Sequence, residues 1–127
     1  MIESLRENPP NPDILVEGVV DALDGLKAID VQTLDVGELT SVADFMVIAT
    51  GTSKRHVTAL AERVIERIEE AGMRAQGVEG LDSSEWVLVD LGDVLVHVMQ
   101  AETRDMYALE KLWSVGAGGR SQPVSQD

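Results

Sequence analysis

The chain has 127 residues, with 23 Asp and Glu against 10 Lys and Arg, a net charge of −13, and no cysteine. That length suits one domain with a single core, and the missing cysteines exclude disulfides and thiolate metal sites. A field of this sign repels phosphate backbones, which disfavours charge-driven binding of DNA or RNA, and it attracts a basic protein unless the acidity serves only solubility.

Residues 1–11 (MIESLRENPPN) are polar, carry both charge signs and hold two prolines, so they read as a flexible leader and not as a secretory signal. Asn11 followed by Pro12 opens a helix, an Asn cap and then a proline whose missing donor costs nothing at the first position. Ile14, Leu15, Val19, Ala22 and Leu23 recur at helical spacing, Gly18 weakens the helix and Gly25 ends it. Ala28 to Val36 predicts a first strand, and Glu38 to Asp44 no more than a turn of helix. Phe45 to Thr50 (FMVIAT) is a continuous apolar run closed by Gly51, as in a strand covered on both faces. Val57, Leu60, Ala61, Val64, Ile68 and Ala71 then form a stripe on a helix from about Ser53 to Ala71, with Glu62, Arg63, Glu66, Arg67, Glu69 and Glu70 as its solvated side.

Met73 to Val78, Glu85 to Leu91 and Val94 to Met99 predict three more strands, the last two joined by a tight Leu91-Gly92-Asp93 turn as a hairpin. Thr103 to Trp113 predicts a final helix with Met106, Leu109, Leu112 and Trp113 inward. From Ser114 onward Gly, Ser and Gln predominate, and residues 115–127 read as a disordered tail. The domain therefore spans residues 12–114. Its fold class is α/β, a mixed β-sheet of about five strands flanked by helices. No apolar run approaches the roughly 20 residues of a membrane span, so the expected location is cytoplasmic.

Local chemistry is sparse. Gly51-Thr52-Ser53 opens a helix where backbone donors could hold an anion with Lys54, Arg55 or His56; the plainer reading is that Thr52 or Ser53 caps the helix. The turn is neither a P-loop nor a dinucleotide fingerprint. Asp90 and Asp93 flank the hairpin turn without the alternating spacing of a two-metal site. With only two histidines no metal-ligand cluster forms, and His97, among valines on a strand, suits packing or hydrogen bonding better than catalysis. No Gly-x-Ser-x-Gly elbow presents a nucleophile. The window from Glu79 to Asp93 is more informative: it holds five acids, no Lys or Arg, and the apolar residues Trp86, Leu88 and Leu91. Apolar anchors ringed by charge build protein interfaces; the alternative is that Trp86 packs in the core. Val94, Val96 and Val98 alternate with Leu95, His97 and Met99, so both sheet faces are apolar, and helices or a partner must cover the second.

Several blocks together are similar to a known family. They are Thr40-Ser41-Val42-Ala43-Asp44-Phe45, Val47-Ile48-Ala49-Thr50-Gly51-Thr52-Ser53, Gly77-Val78-Glu79-Gly80, Glu85 through Met99, Glu102-Thr103-Arg104, Tyr107, and Leu109-Glu110-Lys111-Leu112-Trp113. In this order and spacing, from about residue 12 to 114, they resemble the ribosomal silencing factor (RsfS, Iojap-like) family. The resemblance implies a nucleotidyltransferase-like fold without that activity, no catalytic residue, no cofactor and no metal. It implies binding to a basic β-barrel protein on the joining face of the large ribosomal subunit, protein fourteen of that subunit (uL14). It further implies steric exclusion of the small subunit and repression of translation when nutrients are short. Carried onto the matching positions, it places partner contact at Glu79, Trp86, Leu88, Asp90, Asp93, His97, Met99, Arg104, Tyr107 and Glu110. Trp86, Leu88 and Met99 would supply apolar contact, and Glu79, Asp90, Asp93 and Glu110 would meet basic side chains. The rivals are a divergent nucleotidyltransferase working at Gly51-Thr52-Ser53 and a homodimer formed through an apolar sheet face or edge.

Overall fold

A computed structural model describes residues 11–108. The leader as far as residue 10, the predicted helical residues 109–113 and the tail lie outside the described residues. Along the chain come α1 (Pro12–Gly25), β1 (Ile29–Asp35), β2 (Phe45–Gly51), α2 (Lys54–Glu70), β3 (Gly77–Glu79), β4 (Trp86–Asp90), β5 (Val94–Gln100) and α3 (Ala101–Tyr107). The strands form one mixed sheet in the order β1-β2-β5-β4-β3, in which β2 and β5 run parallel and every other pair is antiparallel. The α/β class and the five-stranded mixed sheet are as the sequence predicts.

The helix starts follow from their caps. Asn11 Oδ1 accepts the Asp13 N–H at 2.7 Å ahead of Pro12, and Ser53 Oγ accepts the His56 N–H at 3.0 Å ahead of α2. Ser53 is thus the helix cap of the plainer reading. His56 joins this corner together: its Nδ1 accepts the Thr52 N–H at 2.9 Å, and its Nε2 lies 2.8 Å from the Leu26 carbonyl beyond α1.

Central strand β5 organises the core. Its even-numbered valines, Val94, Val96 and Val98, are fully buried beneath α1 and α2, together with Val87 and Val89 of β4 and Val47 and Ala49 of β2. Leu15, Val19, Ala22 and Leu23 of α1 and Val57, Leu60, Ala61, Val64 and Ile68 of α2 complete this layer. Each fully buried valine or leucine side chain contributes roughly 1.5–3 kcal/mol, so this face alone accounts for most of the driving force. On the opposite face a smaller cluster of Val36, Met46, Ile48 and Met99 is flanked by half-buried Leu34, Trp86 and Leu95. Among the described residues, no helix is long and apolar enough to cross a membrane.

Three predicted boundaries differ. β3 begins at Gly77, not at Met73, because Met73 is used by the exit of α2: Gly72 is left-handed (φ 85°) and the Met73 N–H closes on the Ile68 carbonyl at 3.0 Å. Helix α3 starts at Ala101, two residues early, and gives way at Ala108 to left-handed backbone (φ 48°), so the predicted run from Thr103 is not continuous through Ala108. Beyond these boundaries, the sequence leaves Leu81-Asp82-Ser83-Ser84 as a connecting turn, and the structure pins it: buried Ser84 donates to the Leu81 carbonyl at 2.9 Å and shares a hydrogen bond with the Thr58 hydroxyl of α2.

Gly80 enters this turn at φ 94°, and a Cβ there would fall 2.1 Å from the Trp86 carbonyl oxygen; Gly72, at φ 85°, has nothing within 4 Å. Gly80→Ala is therefore expected to destabilise the domain by about 3 kcal/mol, left-handed strain added to overlap, and Gly72→Ala by about 1 kcal/mol. Urea unfolding of the two variants checks this; equal losses would show that the close approach at Gly80 does not hold the turn.

Candidate functional site

Alternation along β4 sends Val87 and Val89 to the helix layer and Trp86, Leu88 and Asp90 to the other side. Register extends that second face across the sheet. Trp86 pairs with Met99, Leu88 with His97 and Asp90 with Leu95; Ile48 flanks His97 from β2, and Glu79 of β3 stands opposite Leu88. Among the described residues, helix α3 packs against one end of it. At that end the Trp86 ring lies 4.7 Å from Tyr107 and 5.8 Å from His97, both tilted by about half a right angle (51° and 50°). The indole Nε1–H donates to His97 Nδ1 at 3.0 Å.

His97 is buried, and its Nε2 has no hydrogen-bond partner among the described residues. Burial pushes its pKa down from 6.5 to about 4, because a charged imidazolium would sit away from water. The ring is neutral at ordinary pH, with Nδ1 accepting and the proton on Nε2. Arg104, also buried, reaches from α3 to the Asp30 carbonyl at 2.7 Å and to Thr50 Oγ1 at 2.8 Å. Asp30 is left-handed (φ 52°) where the β1–β2 register shifts, so Arg104 satisfies a carbonyl that the irregular ladder leaves free.

The ten predicted contact residues therefore divide. Trp86, Leu88 and Asp90 are half-buried on the second face, Glu79 is exposed beside Leu88, and Tyr107 is 54% exposed over Trp86. Asp93 is exposed in the turn beyond the strand ends, where its carbonyl accepts the Asp44 and Phe45 N–H groups. Three of the predicted positions are buried in the domain. Met99 is wholly buried under Trp86 and α3, His97 is buried between Ile48 and Leu88, and Arg104 is spent inside the fold. They support the face from beneath. Glu110 lies outside the described residues. Two residues outside the predicted set stand near the same face: Leu34 is half-buried on it, and Val42 is 68% exposed in a loop held to Asp93 through the Asp44 N–H. Leu34 falls on the opposite side from Val31 by strand alternation, whereas the exposure of Val42 is legible only in the structure.

Asp90 Oδ1 accepts the Gly92 N–H at 2.9 Å and shapes the turn. Among the described residues no three His, Asp or Glu side chains converge as metal ligands. A separate crevice of about 350 Å³ opens at the carboxyl ends of β2 and β5, lined by Ile29, Thr50, Gly51, Thr52, Gln100, Ala101 and Glu102.

Fold and face together define a small α/β protein with half-buried apolar residues and bordering acids on one side of its sheet. The family described as "Ribosomal silencing factor during starvation" (RsfS) matches residues 9–127, and the chain belongs to this family. The ribosomal silencing factor RsfS of Haemophilus influenzae is 46% identical over 100 residues, covering 79% of this chain and 98% of that one. A crystal structure of a Chromobacterium violaceum protein superposes with a TM-score of 0.81 at 41% identity, covering 93% of this chain and 95% of that one. The mouse protein named "Mitochondrial assembly of ribosomal large subunit protein 1" is 32% identical over 103 residues, covering 79% of this chain and 45% of its own length.

The depressed His97 pKa has a fixed sign. Above pH 6.5 neither folded nor unfolded His97 is charged; as pH falls from 6.5 to about 4 the unfolded chain takes up the proton first, and stability is lost. His97→Leu is expected to remove this component, about 3 kcal/mol between pH 7 and pH 4 when its unfolding free energy is compared with that of the parent. Parallel pH–stability curves would contradict the neutral, buried assignment.

Proposed function

We propose that the second face of the sheet docks on a basic protein of the large ribosomal subunit, uL14, and that the bound domain blocks joining of the small subunit. Translation is thereby repressed in the cytoplasm under nutrient limitation, and the mechanism needs no catalytic chemistry. The observation that carries this reading is the composition of the face: half-buried Trp86, Leu88, Leu34 and Leu95 bordered by Glu79 and Asp90, on a chain of net charge −13. Family membership supports the ribosomal setting, and the mouse relative's name supports the large subunit.

Physically the parts suffice. Five strands at about 4.8 Å spacing make a face roughly 20 Å wide, and with its loops this is of the order of the roughly 800 Å² per partner that a stable interface buries. Trp86 and Tyr107 present aromatic surface on which a Lys or Arg side chain can lie. Rim acids raise the association rate with a basic partner and make it sensitive to salt.

Co-sedimentation with isolated large subunits, using small subunits as the control, tests the reading. The protein is expected to pellet with large subunits only. Glu79→Lys combined with Leu88→Asp is expected to weaken this by about tenfold or more while the far-UV spectrum is unchanged. Undiminished binding by the folded double variant would place the interface on another surface.

A further inference from the structure

His97 is a costly choice for its position. It sits on the central strand, 7% exposed, between Ile48 and Leu88, where leucine or methionine would pack at similar volume. The imidazole instead carries a polar Nε2 that has no partner among the described residues. A buried donor without an acceptor lowers stability, so an apolar replacement is no worse for the fold. What an apolar residue cannot do is accept a hydrogen bond, and the other ring nitrogen does: Nδ1 lies 3.0 Å from the Trp86 indole nitrogen.

Trp86 needs such a restraint. It stands at the first position of β4, after the turn that ends in left-handed Ser84 (φ 55°), and it is only half-buried. Tyr107 contacts its ring at 4.7 Å, but from the last residue of a seven-residue helix. Stacking and apolar contact limit where an indole lies without selecting one rotamer, whereas a hydrogen bond to a fixed acceptor is directional. Because His97 is shielded from water, solvent competes poorly for its Nδ1.

We infer that His97 is a positioning residue: its Nδ1 holds the Trp86 indole in the orientation in which the sheet face is recognised, at the expense of an unpaired donor in the fold. The inference rests on the docking reading above. Trp86 freed from Nδ1 samples its other staggered rotamers, and the competent fraction falls. Binding then weakens by that fraction, about three- to sixfold, with no contact residue removed.

The signature is a split between stability and binding. In full-length protein carrying Trp113→Phe, so that Trp86 is the remaining tryptophan, His97→Leu is expected to show an unfolding midpoint at pH 8 equal to or above its parent. Hydrogen exchange of the Trp86 indole N–H is expected to be faster, and affinity for purified large subunits about fivefold weaker. His97→Asn places an acceptor oxygen close to the Nδ1 position and is expected to restore slow indole exchange and part of the affinity. Unchanged indole exchange in His97→Leu would overturn the inference, as would unchanged affinity. So would a loss of affinity that tracks a lowered midpoint and is not recovered by Asn. If the parent itself fails to bind large subunits, the docking reading fails, and indole exchange in the free protein still decides whether His97 holds Trp86.

Discussion

Everything in this fold depends on a central strand that is apolar on both sides, with the two longest helices among the described residues packed on one of them. β5 buries Val94, Val96 and Val98 under α1 and α2, and the same strand turns Leu95, His97 and Met99 the other way. Two long helices complete the first layer. Among the described residues, the second is met by seven-residue α3, by Val36 just after β1, and by Trp86 packed with Met99. Among the described residues the sheet is thus packed more fully on one side than on the other, and the less packed side is where the proposed docking falls.

The less packed side is not loosely built. Arg104 fastens α3 to β1 and β2 through the Asp30 carbonyl and the Thr50 hydroxyl, α3 carries Tyr107 onto Trp86, and Trp86 hydrogen-bonds to His97. Each link in this chain places the next, so the exposed aromatic surface stands on buried polar contacts and not on exposed charge. The acids that border it, Glu79 and Asp90, occupy strand positions whose face is set by register, and Asp90 is held further by the Gly92 N–H. Affinity in such an arrangement comes from apolar area at the centre, and the charges govern encounter and partner choice.

Much of this was legible in the residues. The Asn11-Pro12 start, the stripe of α2 and the Leu91-Gly92-Asp93 hairpin are local signals, and local signals determine local structure. The alternation in β5 announced two apolar faces correctly. What was hidden depends on contacts between distant residues. Met73 has the pattern of a strand residue, but the exit of α2 uses its N–H. Arg104 has the look of a surface charge, since nothing nearby in sequence reveals an irregular ladder with a free carbonyl at Asp30. Met99 and His97 belong to the block that carries the family resemblance, and the block shows that they matter without showing which are contacts and which are supports. That distinction is one of depth, and depth appears only once strands are laid side by side.

Membership of the ribosomal silencing factor family supports a ribosomal setting, and the proposed act is occupation of a surface that another body must use. The most direct measurement is the rate and extent of subunit joining, followed by light scattering after large subunits have been saturated with the protein. The account predicts that small subunits fail to join while the protein remains bound, and that joining returns as it is competed away by a soluble copy of its basic partner. Normal joining on large subunits shown to carry the protein would contradict it.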